Sequence, residues 1–167
     1  DAVSGSVDLD SGVPQGTILG PLLWSLVVDP LLRTLEDHCR EDVDGTRAIV
    51  SPFADDINFA VQGPRPDEVV ARANRMLQFV AAWSRAEGVP IGTLSATWVG
   101  GDGGRWKTGD FAPLQCGALQ CVPGTDTFRL LGAWFDAGFT FEYHVDRVLS
   151  AANYALHTLR QLALMAS

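Results

Sequence analysis

The stretch Pro52-Phe53-Ala54-Asp55-Asp56-Ile57-Asn58-Phe59 sets two adjacent carboxylates in the middle of an otherwise apolar run. Upstream, Arg47-Ala48-Ile49-Val50 reads as a strand; downstream, Ile57 to Val61 alternates apolar and polar until Gln62-Gly63-Pro64 stops it. Asp55 and Asp56 therefore fall at a hairpin turn, both at one exposed tip. Two anionic groups held that close repel each other, so ionising both calls for something positive nearby. Oxygen ligands without histidine or cysteine in the hairpin favour a hard ion, Mg²⁺ or Mn²⁺, over zinc. Taken alone, an Asp-Asp pair is more simply a polar turn, since Asp tolerates turn geometry and solvates well. The rest of the chain decides between the two.

A chain of 167 residues with 47% hydrophobic and 19% charged residues has material for one globular core. No run approaches the roughly 18 apolar residues that span a bilayer. The longest, Leu22 to Leu32, is cut by Asp29 and Pro30, so no membrane is expected as a partner. The opening Asp1-Ala2-Val3-Ser4 has neither a basic leader nor an initiating Met, and the expectation is a piece of a longer protein. Cys39, Cys116 and Cys121, odd in number and irregularly spaced, suit reduced thiols in an intracellular setting, nucleus or cytoplasm. A Cys-x₄-Cys spacing without a second pair argues against zinc at Cys116 and Cys121. The net charge of −8 predicts weak binding to DNA or RNA by this chain alone. A nucleic-acid function must borrow positive charge from metal ions or from other polypeptide.

Taken in order, Ser6 to Asp10 alternates as an edge strand, and Ser11 to Pro21, with three glycines and two prolines, is a shaped loop. It feeds a helix starting near Pro21, with Leu22, Leu23, Leu26, Val27 and Leu31 as one apolar stripe; Pro30 is expected to kink it or end its first half. A long amphipathic helix runs from Asp67, its expected cap, to about Glu87, where Gly88 and Pro90 stop it. Its stripe, Val69, Val70, Ala73, Met76, Leu77, Val80 and Trp83, is expected to be core, and Arg65, Arg72, Arg75 and Arg85 a solvated face. Gly92 to Val99 reads as a strand, Gly100 to Gly104 as a flexible turn, and Asp110 to Pro123 as irregular with short strands. Phe128 to Asp136, followed by Phe139-Thr140-Phe141, reads as a hairpin, and Glu142 to about Met165 as a final helix. The expected class is α+β, helices packed on one face of a small antiparallel sheet.

The run Gly12-Val13-Pro14-Gln15-Gly16-Thr17-Ile18-Leu19-Gly20-Pro21-Leu22-Leu23, followed about thirty residues later by Phe53-Ala54-Asp55-Asp56, resembles reverse transcriptases of the non-LTR retrotransposon type. In that family the Gly-x-Pro-Gln-Gly loop and its helix lie against template and incoming nucleotide, and the aromatic-Ala-Asp-Asp hairpin carries metal-binding carboxylates. The resemblance implies Asp55 and Asp56 as catalytic metal ligands and Pro14, Gln15, Gly16, Phe53 and Ala54 as nucleotide and template contacts. Leu131 and Gly132 resemble the hairpin that grips the primer end, and His144 matches a family position as a contact at the helix start. Chemistry agrees: glycines let backbone approach a ligand, and Gln15 offers donor and acceptor to a base edge or sugar.

The implied organisation is a partial polymerase palm over 1–141 and the start of a thumb over 142–167. Its parts are a loop and helix at 12–38, the Asp-Asp hairpin at 47–61, a palm helix at 67–87 and a primer-grip-like hairpin at 128–141. The implied activity is RNA-directed DNA synthesis by a two-metal reaction using Mg²⁺ or Mn²⁺, with RNA template, DNA primer and dNTP as partners in a longer protein. A further carboxylate lies well upstream of the loop in this family, so it is expected on preceding polypeptide, with the fingers and upstream palm. Asp8 and Asp10 stand too near the loop to replace it, and the piece alone is expected to be inactive. Similar enzymes carry an Asn and then a Lys-Thr pair where this chain has Gly92 and Ser95-Ala96. Ser95 supplies no cation, which leaves open a second class: a non-catalytic palm kept as an interaction or scaffold domain. An unrelated α+β metal-binding or hydrolytic domain is the third.

Overall fold

The computed structural model describes residues 16–99, 111–124, 127–136 and 138–165. The strand expected over 6–10, the first part of the loop and the Gly100–Gly104 turn lie outside the described residues. The element order is α1 (Gly20–Arg40), β1 (Arg47–Phe53), β2 (Asp56–Gln62), α2 (Pro66–Glu87), β3 (Leu114–Cys116), β4 (Leu119–Cys121), β5 (Thr127–Leu130), β6 (Ala133–Asp136) and α3 (Glu142–Met165). The class is α+β as expected, but in place of one small sheet the described residues form three two-stranded antiparallel ones, each a hairpin between sequence neighbours. The described residues fall into two units, 16–94 with 112–121, and 95–99 with 111, 122–124, 127–136 and 138–165.

In the first unit, α1 starts at Gly20 with Pro21 in its first turn, where a missing N–H is lost to nothing. The helix does not end at Pro30; it continues to Arg40. An internal proline costs about 3 kcal/mol. Leu31 and Leu35 beyond it are 3% and 0% exposed, and each such burial contributes about 1.5–3 kcal/mol, enough to offset it. The buried stripe is accordingly Val28, Leu31 and Leu35, while Leu22, Leu23, Leu26 and Val27 from the expected stripe stay exposed. Apolar residues surround the first half of α1, so periodicity alone could not choose its face.

Helix α2 supplies half of the buried apolar residues among those described, through Val69, Val70, Ala73, Met76, Leu77, Val80 and Ala81. It packs against α1 and against β3, whose Leu114 and Cys116 are buried, while Ala48 of β1 is buried on the strand that lies against α1. Arg65, not Asp67, is its N-cap; Pro66 follows, and Asp67 and Glu68 sit in the first turn where their charge suits the helix dipole. Gly88 closes it as expected, with a left-handed φ of 67° that a side chain would strain. Two further expectations fail on this helix. Trp83 is only half-buried, and Arg72 is buried, donating to the carbonyls of His38 and Glu41 at the end of α1. Those carbonyls lack partners within their own helix, and the guanidinium meets them.

In the second unit the expected strand over Gly92–Val99 reduces, in residues 95–99, to one bridge, Thr97 with Gly124; residues 92–94 are not strand either. A strand needs a ladder, and Trp98 N–H to the Gly124 carbonyl at 2.6 Å and Gly124 N–H to the Ala96 carbonyl at 3.0 Å are what this segment makes. β5 and β6 form a hairpin that turns at Leu131-Gly132, and Phe139 to Phe141 is loop rather than strand. Asp136 organises that loop by accepting the N–H groups of Gly138, Thr140 and Phe141, which holds its carboxyl below the ordinary value. α3 follows with its apolar side chains exposed through Leu162. Among the described residues no helix is long and apolar enough to cross a membrane.

Candidate functional site

The β1–β2 ladder runs from Arg47 opposite Gln62 to Phe53 opposite Asp56, leaving Ala54 and Asp55 as a two-residue turn. Pro52 lies one pair from the end, where alternation in an antiparallel ladder turns the strand N–H away from the partner, so its missing donor is tolerated. The pleat sends Ala48 and Val50 towards the helices, and Ser51 and Phe53 outwards with their partners Asn58 and Asp56. Asp55 is on the turn and Asp56 begins β2, both exposed, as adjacent residues of one tip.

The tip is strained and held. Ala54 has φ of 52°, a left-handed conformation that costs an L-residue about 1–2 kcal/mol and that tight hairpin turns demand. Its carbonyl accepts the indole N–H of Trp24, on α1, at 2.7 Å. The Trp24 ring meets Trp83 of α2 edge-on, with centroids 6.4 Å apart, and the Trp83 indole donates to the Val27 carbonyl of α1 at 3.3 Å. Two helices thus reach the turn through one hydrogen bond.

Other expected site residues are distributed as follows. Gly16 has φ of 81°, and the turn after it, Gly20 N–H to the Thr17 carbonyl at 3.3 Å, delivers the chain into α1. Pro14 and Gln15 lie outside the described residues. Phe53 is exposed beside Asp56, so the structure brings Phe53, Ala54, Asp55 and Asp56 together. Leu131 and Gly132 form the β5–β6 turn of the second unit, both with positive φ, 48° and 88°. His144 contacts the hairpin before its helix: its Nδ1 accepts the Trp134 N–H at 3.3 Å. Trp24 was missed in the sequence; an indole in the first turns of the helix after the loop was its only signal.

The donor set suits a hard divalent cation in kind, since both tip side chains offer carboxylate oxygens. Among the described residues no group of three or more histidine, cysteine or acidic side chains gathers to hold a metal ion.

Residues 5–93 match the family model described as reverse transcriptase (RNA-dependent DNA polymerase). The chain is similar to the putative 115 kDa protein in type-1 retrotransposable element R1DM of Drosophila melanogaster, 26% identical over 85% of this chain and 13% of that protein. It is also similar to the retrovirus-related Pol polyprotein from type-1 retrotransposable element R1 2 of Nasonia vitripennis, 32% identical over 48% of this chain and 18% of that protein. The chain thus spans under a fifth of the length of either relative. No solved structure matches it at a significant level.

Proposed function

The chain belongs to the reverse transcriptase family and is related to non-LTR retrotransposon proteins, and from that premise we propose that it is part of the palm of an RNA-directed DNA polymerase. The observation that carries the reading is the Phe53-Ala54-Asp55-Asp56 tip, two exposed carboxylates on a turn braced by α1. In this reading residues 1–141 are palm and 142–167 begin the thumb, within a polypeptide that also supplies fingers, upstream palm and a further carboxylate.

Asp55 is the main ligand for Mg²⁺ or Mn²⁺, and Asp56 a second ligand or an electrostatic support. Held there, such ions would supply charge neutralisation between a primer 3′-hydroxyl and a nucleoside triphosphate and toward the leaving pyrophosphate. Phe53 and Ala54 abut the incoming nucleotide, while Pro14, Gln15 and Gly16 contact nucleotide and template. Leu131 and Gly132 hold the primer end. The partners are RNA template, DNA primer and dNTP, in an intracellular setting.

Primer extension on an RNA template with Mg²⁺ or Mn²⁺, using the longest natural polypeptide containing this chain, tests the reading. DNA synthesis that disappears in the Asp55→Asn, Asp56→Asn variant is expected. A second reading, a palm kept for binding alone, is favoured by exposed Ser95 where similar enzymes carry Lys. Absence of synthesis under either metal would select it.

A further inference from the structure

We infer that Trp24 is a positioning residue for the Asp55 carboxylate, acting through the Ala54 carbonyl. The inference rests on the metal-ligand reading of Asp55 and adds a residue that the loop and hairpin motifs do not include. The oxygen that Trp24 holds at 2.7 Å belongs to the Ala54–Asp55 peptide group. A peptide group is planar, so fixing its carbonyl also fixes its N–H and one end of the φ rotation at Asp55. That rotation helps decide where the Asp55 side chain points. Left alone, the turn is poorly determined: Ala54 sits in a sparsely populated conformation, Phe53, Ala54, Asp55 and Asp56 are all exposed, and the hairpin has no third strand among the described residues.

Trp24 is suited to the task because it is itself located from two sides. Its backbone is in α1, whose later residues Val28, Leu31 and Leu35 are buried, and its ring meets Trp83 on α2. Trp83 is in turn tied to α1 through the Val27 carbonyl. Rigidity of the α1–α2 core is thereby carried to the tip by an N–H donor, not by packing around the carboxylates, which remain exposed for ligands. Pre-organised ligands bind tighter because less freedom is lost on binding.

Trp24→Phe separates this role from packing, since phenylalanine keeps an aromatic ring and removes the N–H. In the longest natural polypeptide containing this chain, Mn²⁺ titration followed by electron paramagnetic resonance is expected to show about tenfold weaker binding at the tip, the loss of one hydrogen bond's worth of free energy. The thermal midpoint is expected to stay within a few degrees. A second measurement needs no variant at position 24: on titrating Mg²⁺ into the unaltered polypeptide, the Trp24 indole N–H resonance should shift, and the shift should vanish in Asp55→Asn. Undiminished Mn²⁺ affinity in Trp24→Phe, or an indole resonance indifferent to bound Mg²⁺, overturns the positioning role while leaving Asp55 a ligand. Failure of the unaltered polypeptide to bind either ion in a manner sensitive to Asp55 overturns the ligand reading, and this inference with it.

Discussion

Two hairpin turns in this chain solve the same backbone problem by different means. Ala54-Asp55 and Leu131-Gly132 each join antiparallel strands with two residues, and each begins with a non-glycine residue at positive φ, 52° and 48°. The second turn follows with Gly132 at φ 88°, and its strands are stapled by their own side chains, Phe128 stacked on Phe135 at 5.1 Å. Its outside support comes from the helix that follows it, where His144 accepts the Trp134 N–H. The first has no glycine, exposes its flanking Phe53, and is held by an indole thirty residues away. An external brace of this kind fixes the direction of a turn as well as its closure, because the bond comes from a distant element.

The contrast extends to the units that carry them. Around the first turn lies a core with Met76 1% exposed; in the second unit α3 keeps Leu159 62% exposed. Met76→Ala is therefore expected to destabilise by about 2–5 kcal/mol in denaturant melts, the usual cost of emptying a buried site. A loss under about 1 kcal/mol would mean that the core around α2 is far looser than its burial implies.

Acid sharpens the comparison at a smaller scale. Asp136 accepts three backbone N–H groups and the Thr140 hydroxyl, so its folded carboxyl titrates below the ordinary 3.8. A depressed folded value means that its contribution is present above the unfolded value and is lost as pH falls through the folded one. Amide protection at Thr140 and Phe141 should be present at neutral pH and lost only as pH falls below 3.8 through the folded value. Equal protection at neutral pH in Asp136→Ala would show that the loop does not depend on that carboxylate. The smallest effect is expected from Leu159→Ala, within about 0.5 kcal/mol in this chain, as for surface positions generally. A larger loss would reveal a covered face on α3.

Much of the candidate site was legible because its signals are local. The apolar run broken by Asp55-Asp56 specified a hairpin, and Gly88 marked the end of α2 through the one conformation glycine accepts freely. Whether α1 kinks at Pro30 or ends there was left open by the sequence, which placed the helix as far as residue 38; that it continues follows from the burial of Leu31 and Leu35, which comes from elsewhere in the unit. Arg72 misled for the same reason: on α2 alone it is one more cation, and only the carbonyls of His38 and Glu41 bring it inside. Gly92–Val99 has strand composition, yet residues 95–99 yield a single bridge with Gly124 and residues 92–94 none.

What this sequence determined by itself is the run of three helices, the carboxylate turn between β1 and β2, and the Gly88 stop of α2. Those depend on steric rules that act over a few residues and hold in any context. Tertiary structure alone decided which face of α1 is buried, that Arg72 is internal, and that Trp24 grips the Ala54 carbonyl. Burial and long-range hydrogen bonds depend on which surfaces meet, and one helix's sequence does not contain the position of its neighbour.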